Sequence, residues 1–175
     1  MAVLPIRTYP DPILKKEAAP ITEVTDEIRT LAEDMVETMY DAPGAGLAAP
    51  QVGQSCRMIV VEASTPEEVG KVLVVVNPRI VSAEGNYEFE EGCLSVLDYQ
   101  AKVNRFHDVV VQGLDLEGRP VEFKASERLA VVFQHEIDHL DGVLFIDRIS
   151  ALKRDLYKRK LRKMLKSKDE PSSNG

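Results

Sequence analysis

SERLAVVFQHEIDHLDG, residues 126–142, is the stretch that decides how this chain folds. Its apolar residues cover much of the circumference of a helix, which predicts a helix buried on most sides. Ser126 is placed to cap its start and Gly142 to stop it. Inside it, His135 and His139 lie four residues apart, one helical turn plus about 40°. Both rings can therefore converge on one point. Glu136 sits beside the first of them, giving the H-E-x-x-H arrangement of zinc hydrolases. A carboxylate in a buried helix is costly unless it has a partner or a task. Two histidines are not a complete site, because catalytic centres usually show three protein ligands and one open position.

A third ligand has to come from elsewhere in the chain. His107 stands at the edge of a strand and reads as an exposed imidazole. Cys56 opens an apolar strand and reads as a small core residue. Cys93 differs, because EEGCLSV (residues 90–96) sets it among acids and small residues where no core demand explains it. A thiolate at Cys93 with the imidazoles of His135 and His139 makes a Cys-His-His set. Such donors suit Fe(II), Zn(II), Co(II) or Ni(II) rather than Mg or Ca. A cation so held lowers the pKa of its bound water towards neutrality. Glu136 is then placed to take that proton and return it to a leaving group.

Working outward, TDEIRTLAEDMVETMYDAPG (25–44) carries apolar residues at helical spacing, with Thr25 or Asp26 as cap and Pro43-Gly44 as stop. GAGLAAPQVGQ (44–54) reads as a loop of small residues. CRMIVVEA, KVLVVVNPRI and YEFEEGCLSV read as strands, and HDVVVQGLDLEGRPVEF as a hairpin turning at Glu117-Gly118. Strands without regular strand–helix alternation favour an α+β fold with mainly antiparallel sheets. The 175 residues, 44% of them hydrophobic, suit one domain over residues 1–150. A basic C-terminal helix is expected over 151–168, with Leu152, Leu156, Leu161 and Leu165 near one face, and a disordered tail over 169–175. Residues 150–168 hold nine Lys or Arg against Asp155 alone, a net +8, so the remainder carries −15 of the total −7. An acidic body argues against DNA binding, while the basic helix allows an anionic partner. Two cysteines make no disulfide framework, no apolar run is long enough to span a membrane, and the start shows no secretory pattern. A reducing, cytoplasmic setting is the expectation.

Three separated blocks, GAGLAAPQ (44–51), EGCLS (91–95) and QHEIDH (134–139), occur in the order found in peptide deformylases, and the chain resembles that family from its start to about residue 150. The resemblance implies antiparallel sheets around a central helix bearing the H-E-x-x-H pair. It implies removal of the formyl group from the N-terminal formyl-methionine of new bacterial polypeptides. It also implies native Fe(II), with Zn, Ni or Co able to replace it. By the same resemblance, the Gln51 amide and the Leu94 backbone N–H face the formyl oxygen, and Arg105 and Glu91 form an ion pair beside the metal loop. Leu129, Val131 and Val132, with Phe89 and Ala45 opposite, are candidates for a methionine pocket. Gly46 is the candidate for a main-chain contact to an extended peptide, a mode that holds many sequences without reading them. Ribosome contact through the basic helix is a further implication. Two departures stand out: Phe106 follows Arg105 where proline is common, and Arg128-Leu129 stands where Gly-Leu is common.

Other readings predict other features. A peptidase built on the same helix takes its third ligand downstream, where no further histidine occurs. A non-enzymatic metal protein needs a closed four-ligand site, and three good ligands are found.

Overall fold

The computed structural model describes residues 2–169. Residues 170–175, nearly all of the tail expected to be disordered, lie outside the described residues. Helix α1, Asp26–Asp41, begins where Thr25 accepts a hydrogen bond from the backbone N–H of Ile28. It buries Ala32, Met35 and Met39 along one stripe. Pro43 cannot continue it, and the Gly44 N–H closes back on the carbonyl of Met39.

Among the described residues seven strands follow in two sheets, all antiparallel. The first sheet runs in the order β1 (Gly46–Ala48), β2 (Met58–Glu62), β3 (Val72–Glu84), β6 (Asp108–Leu114), β7 (Pro120–Ser126). The second is a hairpin of β4 (Tyr87–Cys93) and β5 (Val96–Arg105). The α+β, antiparallel expectation holds. The small-residue loop does not hold throughout: Gly46, Leu47 and Ala48 pair with Val61, Val60 and Ile59, and Ala49–Val52 forms a 3-10 turn. Strand β5 has no counterpart in the sequence reading. Asp98, at φ +54°, interrupts its alternation, and the polar run around it hides the pattern. The β6–β7 turn is as expected, with Gly118 at φ +77° and Asp115 accepting from the N–H groups of Glu117 and Arg119.

Helix α2, Glu127–Leu140, packs against β1, β2, β6 and β7 of the large sheet and against β4 of the hairpin. Ala130, Phe133, Ile137 and Leu140 enter a core with Ile59, Val61, Val75, Val109 and Val111. Ser126 occupies the cap position but makes no capping bond; its hydroxyl is turned to Asp108, to which it donates across the β6–β7 pair. Gly142 stops the helix at φ +73°, where a Cβ would lie 2.5 Å from the carbonyl oxygen of Lys15.

Helix α3, Ala151–Asp169, does not present its four leucines on one face. At about 100° per residue, Leu156 and Leu161 are about 140° apart. Leu161 and Tyr157 are buried with Leu14, Val96, Val103 and Phe145, while Leu152 and Leu156 are exposed. Tyr157 lies 4.7 Å from the Tyr99 ring and donates to the carbonyl of Leu97. Each of these two buried side chains contributes roughly 1.5–3 kcal/mol to holding α3 in place.

Glu127 begins α2 at φ +55°, a conformation that disfavours residues with a Cβ. Glu127→Gly is expected to stabilise the fold by about 1 kcal/mol, read as a higher midpoint in urea; an unchanged or lower midpoint contradicts that strain.

Candidate metal centre

Three elements bring the centre together. Helix α2 supplies His135, Glu136 and His139, which are 9%, 4% and 1% exposed. The hairpin supplies Cys93 as the last residue of β4. There the pairing shifts register, so that Cys93 faces Val96 across the two-residue turn Leu94-Ser95. The 3-10 turn after β1 supplies Gln51.

The ligand atoms of Cys93, His135 and His139 all lie within 4.8 Å of one another. The two imidazole Nε2 atoms are 3.2 Å apart, and Cys93 Sγ is 3.4 Å from Nε2 of His139. His135 Nδ1 is 2.8 Å from Oε1 of Glu91. With Nδ1–H donating to that carboxylate, the Nε2 lone pair faces the sulfur and the other ring. Two imidazole lone pairs at that separation repel unless positive charge stands between them. Burial opposes charge on His135, but the thiol of Cys93 and the carboxylate of Glu91 outweigh it and push its pKa well up. Burial, then the charges on His135 and Arg105, push His139 well down. A divalent cation on all three donors meets that demand, and a soft sulfur with two imidazoles fits a borderline transition ion.

Behind His135 stands a buried ion network. Arg105 donates two hydrogen bonds to Glu91, at 2.7 and 2.9 Å, and one to Asp138 at 2.7 Å. Burial by itself would raise the Glu91 pKa; hydrogen bonds from Arg105 and His135 overcome it and hold the carboxylate ionised.

A cavity of about 640 Å³ opens over the centre. Cys93, His135, Glu136, Gln51 and Leu94 line it, and so do Ala45, Gly46, Phe89, Val131 and Val132. His139 lies deeper. Leu129 is not in the lining; it packs against the core around Phe133. Arg128, Val131, Val132 and His135 share one face, while Leu129 lies two turns before Glu136, where its neighbours are core residues. Arg128 holds the lining place instead. Val96, Asp98, Tyr99 and Gln100 of β5 also line the cavity and were not anticipated, because that strand was not read.

The Gln51 amide is fixed at both ends. Its Oε1 accepts from the Ala48 N–H at 3.0 Å; its Nε2 donates to Ser95 Oγ at 3.0 Å and lies 3.7 Å from Cys93 Sγ. Ser95 was not singled out, although it closes the EGCLS block. Glu136 has one buried carboxylate oxygen, Oε2, without a partner, and its Oε1 is 4.0 Å from Nε2 of His135. Burial pushes its carboxyl up to about 7. A neighbouring cation would draw it back down. A Cβ on Gly46 would meet Glu136 Cγ at 2.9 Å and Val132 Cγ1 at 3.0 Å, so glycine is what allows β1 to lie against this face of α2.

Comparison with known proteins identifies the family. A model of the polypeptide deformylase family matches residues 3–155. The peptide deformylase of Acidobacterium capsulatum is 51% identical over 164 residues, covering 94% of this chain and 96% of that protein. The crystal structure of a peptide deformylase from Legionella pneumophila superposes with a TM-score of 0.87 at 44% identity, over 97% of this chain and all of that one. A class I type b peptide deformylase from Acinetobacter baumannii, solved with Met-Ala-Ser bound, gives 0.78 at 38% identity over 84% of this chain and 98% of that one. This chain belongs to the polypeptide deformylase family of metal-dependent hydrolases.

Proposed function

We propose that this chain hydrolyses the formyl group from the N-terminal formyl-methionine of nascent polypeptides and releases formate. One observation carries the reading: an unpartnered carboxylate oxygen and three convergent ligand atoms belong to one centre, beneath a cavity walled by valines and phenylalanine. Cys93, His135 and His139 would hold one divalent cation, Fe(II) in the native enzyme, with Zn, Ni or Co as substitutes. When bound, the cation supplies a Lewis acid that acidifies water and polarises the formyl oxygen.

The residues around it divide the remaining work. Glu136 accepts a proton from the attacking water and passes it to the amine as the formyl C–N bond breaks. Gln51 Nε2 and the Leu94 N–H donate to the formyl oxygen as it gains charge, each lowering the barrier by about 3 kcal/mol. Ser95 keeps the Gln51 amide aimed beside the Cys93 sulfur. The methionine side chain lies against Val131, Val132, Phe89 and Ala45. The peptide that follows runs beside Gly46, because β1 is the terminal strand of its sheet and pairs on one side with β2. Main-chain pairing along such an edge accepts many sequences.

The setting is cytoplasmic. Among the described residues no helix is long and apolar enough to cross a membrane. The basic residues of α3 offer charge for ribosomal RNA, in a contact that high salt should weaken.

Formate release from a formyl-Met peptide, with an acetyl-Met peptide as control, tests the reading. Cleavage of an internal peptide bond instead would mark a peptidase, and no turnover with any metal would reject an enzyme. Glu136→Gln is expected to keep stoichiometric metal while turnover falls by about 10²–10⁴, followed by parallel metal analysis and formate assay. Cys93→Ala is expected to lose the ion on dialysis; tight one-to-one retention would reject the ligand set. Gly46→Ala is expected to displace Glu136 and Val132, cutting kcat/KM by more than about tenfold with metal content intact.

A further inference from the structure

The ion network behind His135 does not end at Asp138. Arg148 donates from Nε to Asp138 Oδ2 at 2.6 Å and from Nη2 to Asp138 Oδ1 at 2.8 Å. We propose that Arg148 is a positioning residue for the metal centre: its two-pronged contact with Asp138 keeps Arg105 committed to Glu91, and through Glu91 holds the His135 imidazole in place. The inference deepens the proposed reading at its metal site and does not depend on the identity of the substrate.

The bond inventory supports it. Asp138 Oδ2 is shared by Arg105 and Arg148, while Oδ1 has Arg148 as its partner among the described residues. Two carboxylates and two guanidinium groups balance to zero. Without Arg148, Glu91 and Asp138 would compete for the single buried guanidinium of Arg105. Asp138 is 9% exposed, so an orphaned oxygen there is costly. Arg105 can repair that loss by swinging toward Asp138, and each hydrogen bond it gives up at Glu91 loosens the carboxylate that orients His135.

Position and packing make this role separable from bulk. The Arg148 side chain is 46% exposed, whereas that of Arg105 is 3% exposed. Truncating Arg148 therefore opens no core cavity. Arg148 also closes the 3-10 turn Phe145–Arg148, and Phe145 stacks on His135 with ring centroids 6.2 Å apart. That turn is fastened from outside by the Lys15–Asp147 ion pair and by the Leu144 N–H donating to Asp147. The imidazole is thus approached from this turn twice, once by stacking and once through four charged side chains.

The test uses the full chain loaded with Co(II), whose visible bands report the ligand field. The rate at which excess chelator strips the metal is measured beside the melting temperature of the metal-free protein. Arg148→Ala should speed release by about tenfold and shift the bands, with Arg148→Lys falling between it and wild type. In an Asp138→Asn background the same substitution should change release less than twofold, because its partner charge is already gone. Release within twofold of wild type in Arg148→Ala, with unchanged bands, overturns the proposal even if the melting temperature falls. So does a full effect that persists in the Asp138→Asn background. If the alanine variant fails to fold, Arg148→Gln carries the same criteria. Failure here would leave cobalt binding and formate release by the wild type intact, whereas a wild type that binds no cobalt removes the centre itself.

Discussion

The carboxylate of Glu91 is the constraint on which this molecule turns. It is buried and it accepts from the His135 imidazole on one side and a guanidinium on the other. Burial alone would raise its pKa and weaken its hold on the Nδ1–H of His135. Arg105 decides the contest, because a two-bond contact at 2.7 and 2.9 Å outweighs the loss of water around Glu91. Strand β4 therefore gives the centre two things two residues apart: a sulfur donor at Cys93 and the acceptor that orients the facing nitrogen donor. The alternation of a strand puts both on one side.

The two faces of α2 divide structure from chemistry. One face carries Phe133, Ile137 and Leu140 into the large sheet and anchors the helix. The other carries His135, Glu136 and His139 toward the hairpin and the turn after β1. A helix docked on a rigid sheet holds its side chains more closely than a loop would, which suits proton transfer across a few ångströms. Gly46 is the counterpart on the sheet side, since any side chain there would occupy the space of Glu136.

Much of this was readable from the chain, and the unreadable parts share a cause. The spacing of His135 and His139, the setting of Cys93 and the apolar periodicity of α1 and α2 are local patterns. Features decided by distant partners were not. GLA at 46–48 carries no strand signal of its own and becomes β1 because β2 offers it an edge. Strand β5 is broken by Asp98 and paired through polar residues, so its alternation is masked. Leu129 looked equivalent to Val131 and Val132 by type, yet it packs on the core and Arg128 lines the cavity. Ser126 is a good cap by type, but Asp108, eighteen residues earlier, takes its hydroxyl. Four leucines in α3 suggested one stripe, whereas the aromatic contact between Tyr157 and Tyr99 sets which side packs.

The donors of the centre sit on parts of the chain that form by different routes. The β4–β5 hairpin is built from neighbours in sequence, while the seat of α2 draws on strands spread from β1 to β7. The sulfur and the two nitrogens therefore meet only where both parts are in place. A metal ion held by all three would act as a latch across that seam. A copy in which either part is displaced would lack the three-donor grip.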